Sequence, residues 1–311
     1  MPKKTAQNPA DYIVPLNMNG LQGRMLYLPA PPGKKREILL LYGHHSSLER
    51  WWGIAQVLNK FGAVCMPDIP GFGGMDSMYR IGKKPTVDNL ADYLASFVRM
   101  RYSKKRVTII GMSFGFVIAT RMLQRFPDLT KKVDLFVSLV GFAHKDDFTF
   151  SPARYWFYRT FTKLFSLPMM SKVFSLLFLQ SWILRVVYKY TQHPKFVDLP
   201  NEDKDKMVDV EIWLWHNNDV RTWMFTTRQM LTLDNCMVKI NLPVWHAGMK
   251  TDHFFDNEVI EQHLRVIFTE YNGMILDLPQ HAHAPTVIAD AKDAAPFIPP
   301  KLRRRLSKRE A

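Results

Sequence analysis

Apolar residues in this chain fall into short, nearly continuous runs separated by longer stretches of helical period. Glu37 to Tyr42, Ala63 to Met66, Val107 to Ile110, Val133 to Val140, Leu242 to Ala247 and Met274 to Leu278 form the runs, as expected of strands buried on both faces. After the first, Ser46-Ser47-Leu48-Glu49 matches a capping box and predicts a helix to about Phe61, stopped by Gly62. Thr86 opens the next helix, where Leu90, Tyr93, Leu94, Phe97 and Val98 recur at i, i+3, i+4, i+7 and i+8. Phe114 to Phe126 reads as a third, ended by Pro127. Ahead of all of these, residues 12–19 and 22–28 read as a hairpin around Asn19-Gly20. A hairpin followed by alternating strand and helix predicts an α/β fold: a mostly parallel, eight-stranded sheet with helices on both faces.

Residues 144–240 break the alternation and read as several helices with no clear strand. From Phe148 to Val197 there is no Asp or Glu, while Arg154, Arg159, Lys163, Lys172, Arg185, Lys189 and Lys195 sit among many aromatics. The longest uncharged run, Val173 to Leu184, falls short of the about 20 residues that cross a bilayer. The expected organisation is one α/β core built from residues 1–143 and 241–311, with a helical insertion at 144–240.

With 311 residues, 47% of them hydrophobic, the chain suits one large domain carrying an insertion. Its two cysteines, Cys65 and Cys236, cannot make a disulfide framework and point to a reducing, cytoplasmic setting. No apolar signal core follows Met1-Pro2-Lys3-Lys4-Thr5. The net charge of +14 admits nucleic acid, anionic lipid or an anionic substrate as partner. No nucleic-acid motif accompanies that charge, and no nucleic-acid partner is expected. The dense cationic cluster from Lys301 to Arg309 reads as a solvated tail.

Gly111-Met112-Ser113-Phe114-Gly115 stands between an apolar strand and a helix. A G-x-S-x-G in that context is a nucleophile elbow: a sharp turn, with glycines where side chains would collide, that projects the serine hydroxyl out of the sheet. A serine nucleophile needs a base to take its proton and a third group to orient that base. Past the strand that follows the insertion the chain reads Gly248-Met249-Lys250-Thr251-Asp252, and past the last strand it reads Gln280-His281-Ala282-His283-Ala284-Pro285.

Taken together these segments resemble the α/β-hydrolase superfamily, in its serine-nucleophile branch with a helical lid inserted after the sixth strand. Over about residues 12 to 290, Tyr42-Gly43-His44-His45 resembles the family's oxyanion loop, Asp68-Ile69-Pro70-Gly71-Phe72-Gly73 its D-x-x-G-x-G loop, and Ala282-His283-Ala284-Pro285 the segment around its catalytic histidine. The resemblance implies an α/β-hydrolase sandwich with an all-helical lid. It implies Ser113 as nucleophile, His283 as general base and then acid, Asp252 as the orienting acid, and the backbone N–H groups of His44 and Phe114 as the oxyanion hole. His281 is the competing histidine, and Asp146 or Asp147 a second acid position. Tyr42 stands where the family usually has histidine, but an oxyanion contact made by backbone survives that change.

Other chemistries fit less well. His44-His45 and His281-Ala282-His283 lack the flanking residues of the common metal motifs, and no G-x-G-x-x-G opens the first helix, so neither metal nor cofactor is expected. An aspartate nucleophile is excluded by Ser113. The reading is a serine hydrolase that cleaves a carboxylic ester, with a hydrophobic acyl or alcohol part, through an acyl-enzyme. The same triad acting on a thioester, amide or carbon–carbon bond, or as an acyltransferase, is the first alternative, and a non-catalytic binding protein the second. The expected partner is a small hydrophobic ester, with peripheral contact between the cationic, aromatic lid and anionic membrane as a further expectation. The competing reading has those aromatics packed onto the core.

Overall fold

The computed structural model describes residues 8–190, 201–250, 252–278 and 291–308. Its strands are β1 (Ile13–Met18), β2 (Leu21–Leu28), β3 (Arg36–Leu41), β4 (Gly62–Pro67), β5 (Val107–Met112), β6 (Val133–Leu139), β7 (Ile240–Met249) and β8 (Phe268–Leu276). They form one eight-stranded sheet in the order β1-β2-β4-β3-β5-β6-β7-β8. The β1–β2 and β2–β4 pairs are antiparallel; every later pair is parallel. The hairpin turns at Asn19 (φ 53°) and Gly20 (φ 79°), the two left-handed residues that a two-residue turn needs to match strand twist. Every residue of β4 and β5 is buried, which explains why those segments read as continuous apolar runs.

Helices α1 (Trp52–Asn59), α2 (Val87–Arg101) and α3 (Phe114–Arg125) are the crossovers. The chain steps from β3 to β4 in one direction and from β4 to β5 and β6 in the other. Right-handed crossovers therefore place α1 on one face and α2 and α3 on the opposite one. Thr86 caps α2, its hydroxyl accepting from Asn89 N–H at 3.1 Å, and Leu90, Tyr93, Leu94, Phe97 and Val98 are all buried.

Three local expectations are corrected. No capping box forms at Ser46–Glu49: Ser46 Oγ accepts from the Trp51 indole at 2.7 Å, Glu49 pairs with Arg24, and a 3-10 turn (Glu49–Trp51) leads into α1. Strand β8 begins at Phe268 rather than Met274: its first half, on the sheet edge, is largely exposed and carries polar residues, so no apolar run marks it. The cationic C-terminal run is a docked helix rather than a solvated tail. Following α9 (Asn257–Ile267) and α10 (Ala291–Ala294), α11 (Pro300–Ser307) buries Leu302 and Leu306. Arg303 ties it down by donating to the Ile298 carbonyl at 2.6 Å.

Helices α4 (Pro152–Phe165), α5 (Pro168–Phe178), α6 (Ser181–Tyr190), α7 (Asn201–Asn217) and α8 (Val220–Met230) lie between β6 and β7 in the chain. They share a small second core that includes Leu179, Leu184, Met207, Ile212 and Met224. The α7–α8 junction is stitched to the glycine-rich loop after β4: Gly73 N–H donates to Asn218 Oδ1 (2.7 Å), Asp219 N–H to the Gly71 carbonyl (2.8 Å) and Gly74 N–H to the Asn217 carbonyl (3.1 Å).

Candidate active site

Ser113 occupies the turn between β5 and α3 with φ 45° and ψ −118°. A β-carbon does not favour that conformation, so the elbow holds this residue against local strain. The flanking glycines are required by close approach. A Cβ on Gly111 would lie 2.6 Å from Phe116 Cα, and one on Gly115 would lie 2.5 Å from the Tyr42 carbonyl oxygen. Phe114 supplies the first N–H of α3, which no carbonyl of the same helix can reach.

The loop after β3 comes up against the elbow. A Cβ on Gly43 would sit 3.3 Å from Ser113 Cβ, so the chain from Gly43 to His44 passes beside the serine. Aromatic packing holds His44, whose ring lies 5.2 Å from Phe72, 5.5 Å from Phe114 and 5.5 Å from Trp223, while its Nε2 bonds Thr226 Oγ1 at 2.8 Å. Tyr42 has a structural task that histidine in its place would not perform in the same way. Its hydroxyl donates to Asp68 Oδ1 (2.8 Å) and accepts from Ile69 N–H (2.8 Å), locking the β3 and β4 loops together. Arg24 Nε adds a bond to Asp68 Oδ2 at 3.1 Å.

Ser113 opens into a cavity of 310 Å³ whose lining includes Gly43, His44, Trp51, Met112, Tyr188, Trp215, Trp223, Met230 and Phe254. One wall is ionic. Arg50 Nη2 and Glu211 Oε1 are 3.0 Å apart, both side chains nearly inaccessible, and His45 Nε2 lies 3.6 Å from Glu211 Oε2. Arg50 Nη1 donates to the His45 carbonyl at 3.3 Å, and Asn218 Nδ2 and His45 Nδ1 are 3.2 Å apart. Sequence reading missed Arg50, Glu211, Trp215 and Trp223. They come from distant segments, and no local pattern marks them.

Asp252 follows the end of β7, two strands from β5 and so roughly 10 Å across the sheet. Its Oδ1 accepts from the N–H groups of Phe254 (2.8 Å) and Phe255 (3.2 Å), and its Oδ2 is buried. His283 and His281 lie outside the described residues. The second acid position is committed elsewhere. Asp147 Oδ1 is 2.5 Å from His263 Nδ1 on α9, and its Oδ2 accepts from Ala143 N–H (2.7 Å) and His144 N–H (2.9 Å). Asp146 is exposed beside Lys145. Among the described residues no cluster of His, Cys, Asp and Glu could hold a metal ion. Burial pushes the Cys65 and Cys236 thiols up to about 11, which makes both poor nucleophiles.

A buried serine–histidine pair lies inside the sheet. Ser138 on β6 stands in register with His246 on β7, and Ser138 Oγ is 2.8 Å from His246 Nδ1. Both are buried, and neither lines the cavity. Burial lowers the His246 pKa to about 4, with the Asp252 charge opposing the shift. The unfolded chain therefore binds a proton here near pH 6.5, whereas the folded chain does so only near pH 4. Stability is full above pH 6.5 and falls as the pH drops towards 4, by about 3 kcal/mol at one pKa unit per 1.36 kcal/mol. Thermal melts of the wild type and His246→Gln between pH 4 and 7 check this: the variant's Tm should show the weaker pH dependence, and equal dependence would refute the assignment.

A family model described as alpha/beta hydrolase fold matches residues 37–195. Among curated proteins no match to the sequence is found. Solved structures with the same fold include a hydrolase from Oleispira antarctica (13% identity, TM-score 0.64, covering 92% of this chain and 94% of that one). The epoxide hydrolase CorEH is similar at 15% identity and TM-score 0.63, over 88% of this chain and 94% of its own. The enol-lactonase from Burkholderia xenovorans LB400 is similar at 14% identity and TM-score 0.61, over 91% and 99%.

Proposed function

This chain belongs to the α/β-hydrolase fold family, and from that premise we propose that it is a serine hydrolase cleaving an uncharged carboxylic ester with a hydrophobic acyl or alcohol part. The observation that carries the reading is Ser113, held at φ 45° and opening into an aromatic-walled cavity. In the proposed reaction Ser113 Oγ attacks the ester carbonyl as His283 takes its proton. Asp252, whose Oδ1 accepts from two backbone N–H groups that fix its carboxylate, receives the imidazole N–H and stabilises its cation. The N–H groups of Phe114 and His44 meet the developing oxyanion, where the loss of one donor typically costs roughly 100- to 1000-fold in rate. His283 then protonates the leaving alcohol, and water, activated by the same imidazole, releases the acid.

The helical insertion acts as the lid, roofing the cavity with Tyr188, Trp215 and Trp223. Arg50 and Glu211 neutralise each other in the wall, which favours a neutral substrate over a carboxylate or an ammonium. The test is labelling with a fluorophosphonate probe, followed by a series of nitrophenyl esters of increasing acyl length. The wild type should label, His283→Ala should not, and kcat/KM should rise from acetate towards medium-chain esters. A protein that does not label is a binding protein of this fold, and one that cleaves only short polar esters refutes the substrate class. A labelled protein that turns over thioesters or amides faster than the matching oxygen esters keeps the triad and changes the bond.

A further inference from the structure

Helices α4, α5 and α6 divide their apolar residues between two sides. Phe161, Phe165 and Phe174 pack in the second core, and Thr162 and Ser171 are buried. On the outer side Trp156 (68% exposed), Met169 (77%), Leu176 (70%) and Trp182 (68%) lie open. The packing expectation therefore holds for one face only. Exposed apolar residues of this size, grouped on neighbouring helices, mark a contact surface.

Basic residues share the same stripes. Trp156, Arg159 and Lys163 stand at i, i+3 and i+7 on α4, Met169, Lys172 and Leu176 at the same spacing on α5, and Trp182, Arg185 and Lys189 on α6. Residues so spaced lie on one helix face, and all nine are exposed. Among the described residues only Arg185 of these is ion-paired, with Asp209 at 2.6 Å. No acidic residue occurs from Phe148 to Val197. No single described helix is long and apolar enough to cross a membrane, and α4 and α5 meet at 105°.

We propose that this face docks on an anionic phospholipid surface, with α4, α5 and α6 lying in the headgroup layer. Tryptophan and aliphatic side chains enter the acyl boundary while arginine and lysine meet lipid phosphate. The charge disfavours a second copy as occupant, because two net-cationic faces repel. Docking is independent of the esterase reading, since it is measured by binding rather than turnover. It has a consequence for that reading, however: α6 and α7 also supply Tyr188, Glu211 and Trp215 to the cavity, so the docked face is the outer side of the cavity's roof.

Flotation of the full-length protein with phosphatidylcholine vesicles, with and without phosphatidylglycerol, tests the proposal. The protein should float with phosphatidylglycerol vesicles only and be released by high salt. Each basic residue at the surface contributes about fivefold in partitioning, so Arg159→Glu/Lys163→Glu/Lys172→Glu, which removes three such charges and reverses their sign, should weaken binding by at least roughly 100-fold. Trp156→Ala/Trp182→Ala should weaken it as well and remove part of the lipid-induced blue shift in tryptophan emission. Arg304→Glu/Arg305→Glu, on the C-terminal helix, should bind like the wild type. Circular dichroism melts confirm that each variant is folded, and the substituted side chains are all exposed. Absence of wild-type binding, binding retained by both lid variants, loss confined to the C-terminal variant, or lipid-free dimerisation through this face would each overturn the proposal.

Discussion

Replacing Ser113 should abolish activity without unfolding the protein, and one replacement should leave it at least as stable as the wild type. Ser113→Ala removes the attacking oxygen, and by the behaviour of serine triads kcat should fall at least about 10⁴-fold. Among the described residues the Oγ makes no hydrogen bond, so its loss leaves no partner stranded. Ser113→Gly goes further. The φ 45°, ψ −118° conformation costs a residue bearing a Cβ on the order of 1–3 kcal/mol, whereas glycine adopts it freely. Against this stands glycine's greater entropy in the unfolded chain, about 0.5–1 kcal/mol. Ser113→Gly should therefore be inactive and melt at or above the wild-type Tm, while Ser113→Ala, which keeps the strained Cβ, should not gain. Calorimetry of the three proteins decides it. A glycine variant less stable than the alanine variant would show that the elbow stores no strain, and retained turnover in either would remove Ser113 from the chemistry.

Strands buried on both faces announce themselves as apolar runs, and β3 through β6 were readable for that reason. The first half of β8 was not, because on an edge one face meets water and Phe268–Gly273 carries Thr, Glu and Asn. The capping box failed because its residues had stronger offers from far away: Ser46 from the Trp51 indole, Glu49 from Arg24 across 25 positions of sequence. The basic run at the C-terminus concealed Leu302 and Leu306, an i, i+4 pair that docks the helix. For the candidate site, Ser113, Gly43 and Asp252 carry local motif context, which is what marks them in the sequence. The pocket wall could not, since Arg50 and Glu211 are 161 positions apart and nothing about either alone signals burial. Nor could the sequence separate the inward aromatics of α4 to α6 from the outward ones, because both kinds recur at helical spacing.

The pair Arg50–Glu211 should prove the strongest single tie between the helical insertion and the core. Both side chains are almost wholly removed from water and their charged atoms are 3.0 Å apart. Such a pair gains little net stability over an apolar replacement, because desolvation offsets the attraction, but breaking it from one side is severe. Glu211→Ala takes away the carboxylate and leaves the Arg50 guanidinium charged in the cavity wall. The expected loss is about 3–5 kcal/mol, read as a lower urea midpoint. Arg50→Met/Glu211→Leu removes both charges and keeps the volume, and it should recover most of that loss. Turnover gives an independent reading. The double variant should keep kcat on neutral esters, because neither residue touches the reacting atoms, and should shift KM towards more apolar substrates as the wall loses its polar groups. If the single and double variants were equally destabilised, the ionic pair would not be what fastens the roof, and the backbone stitches at Gly71, Gly73 and Gly74 would have to carry it alone.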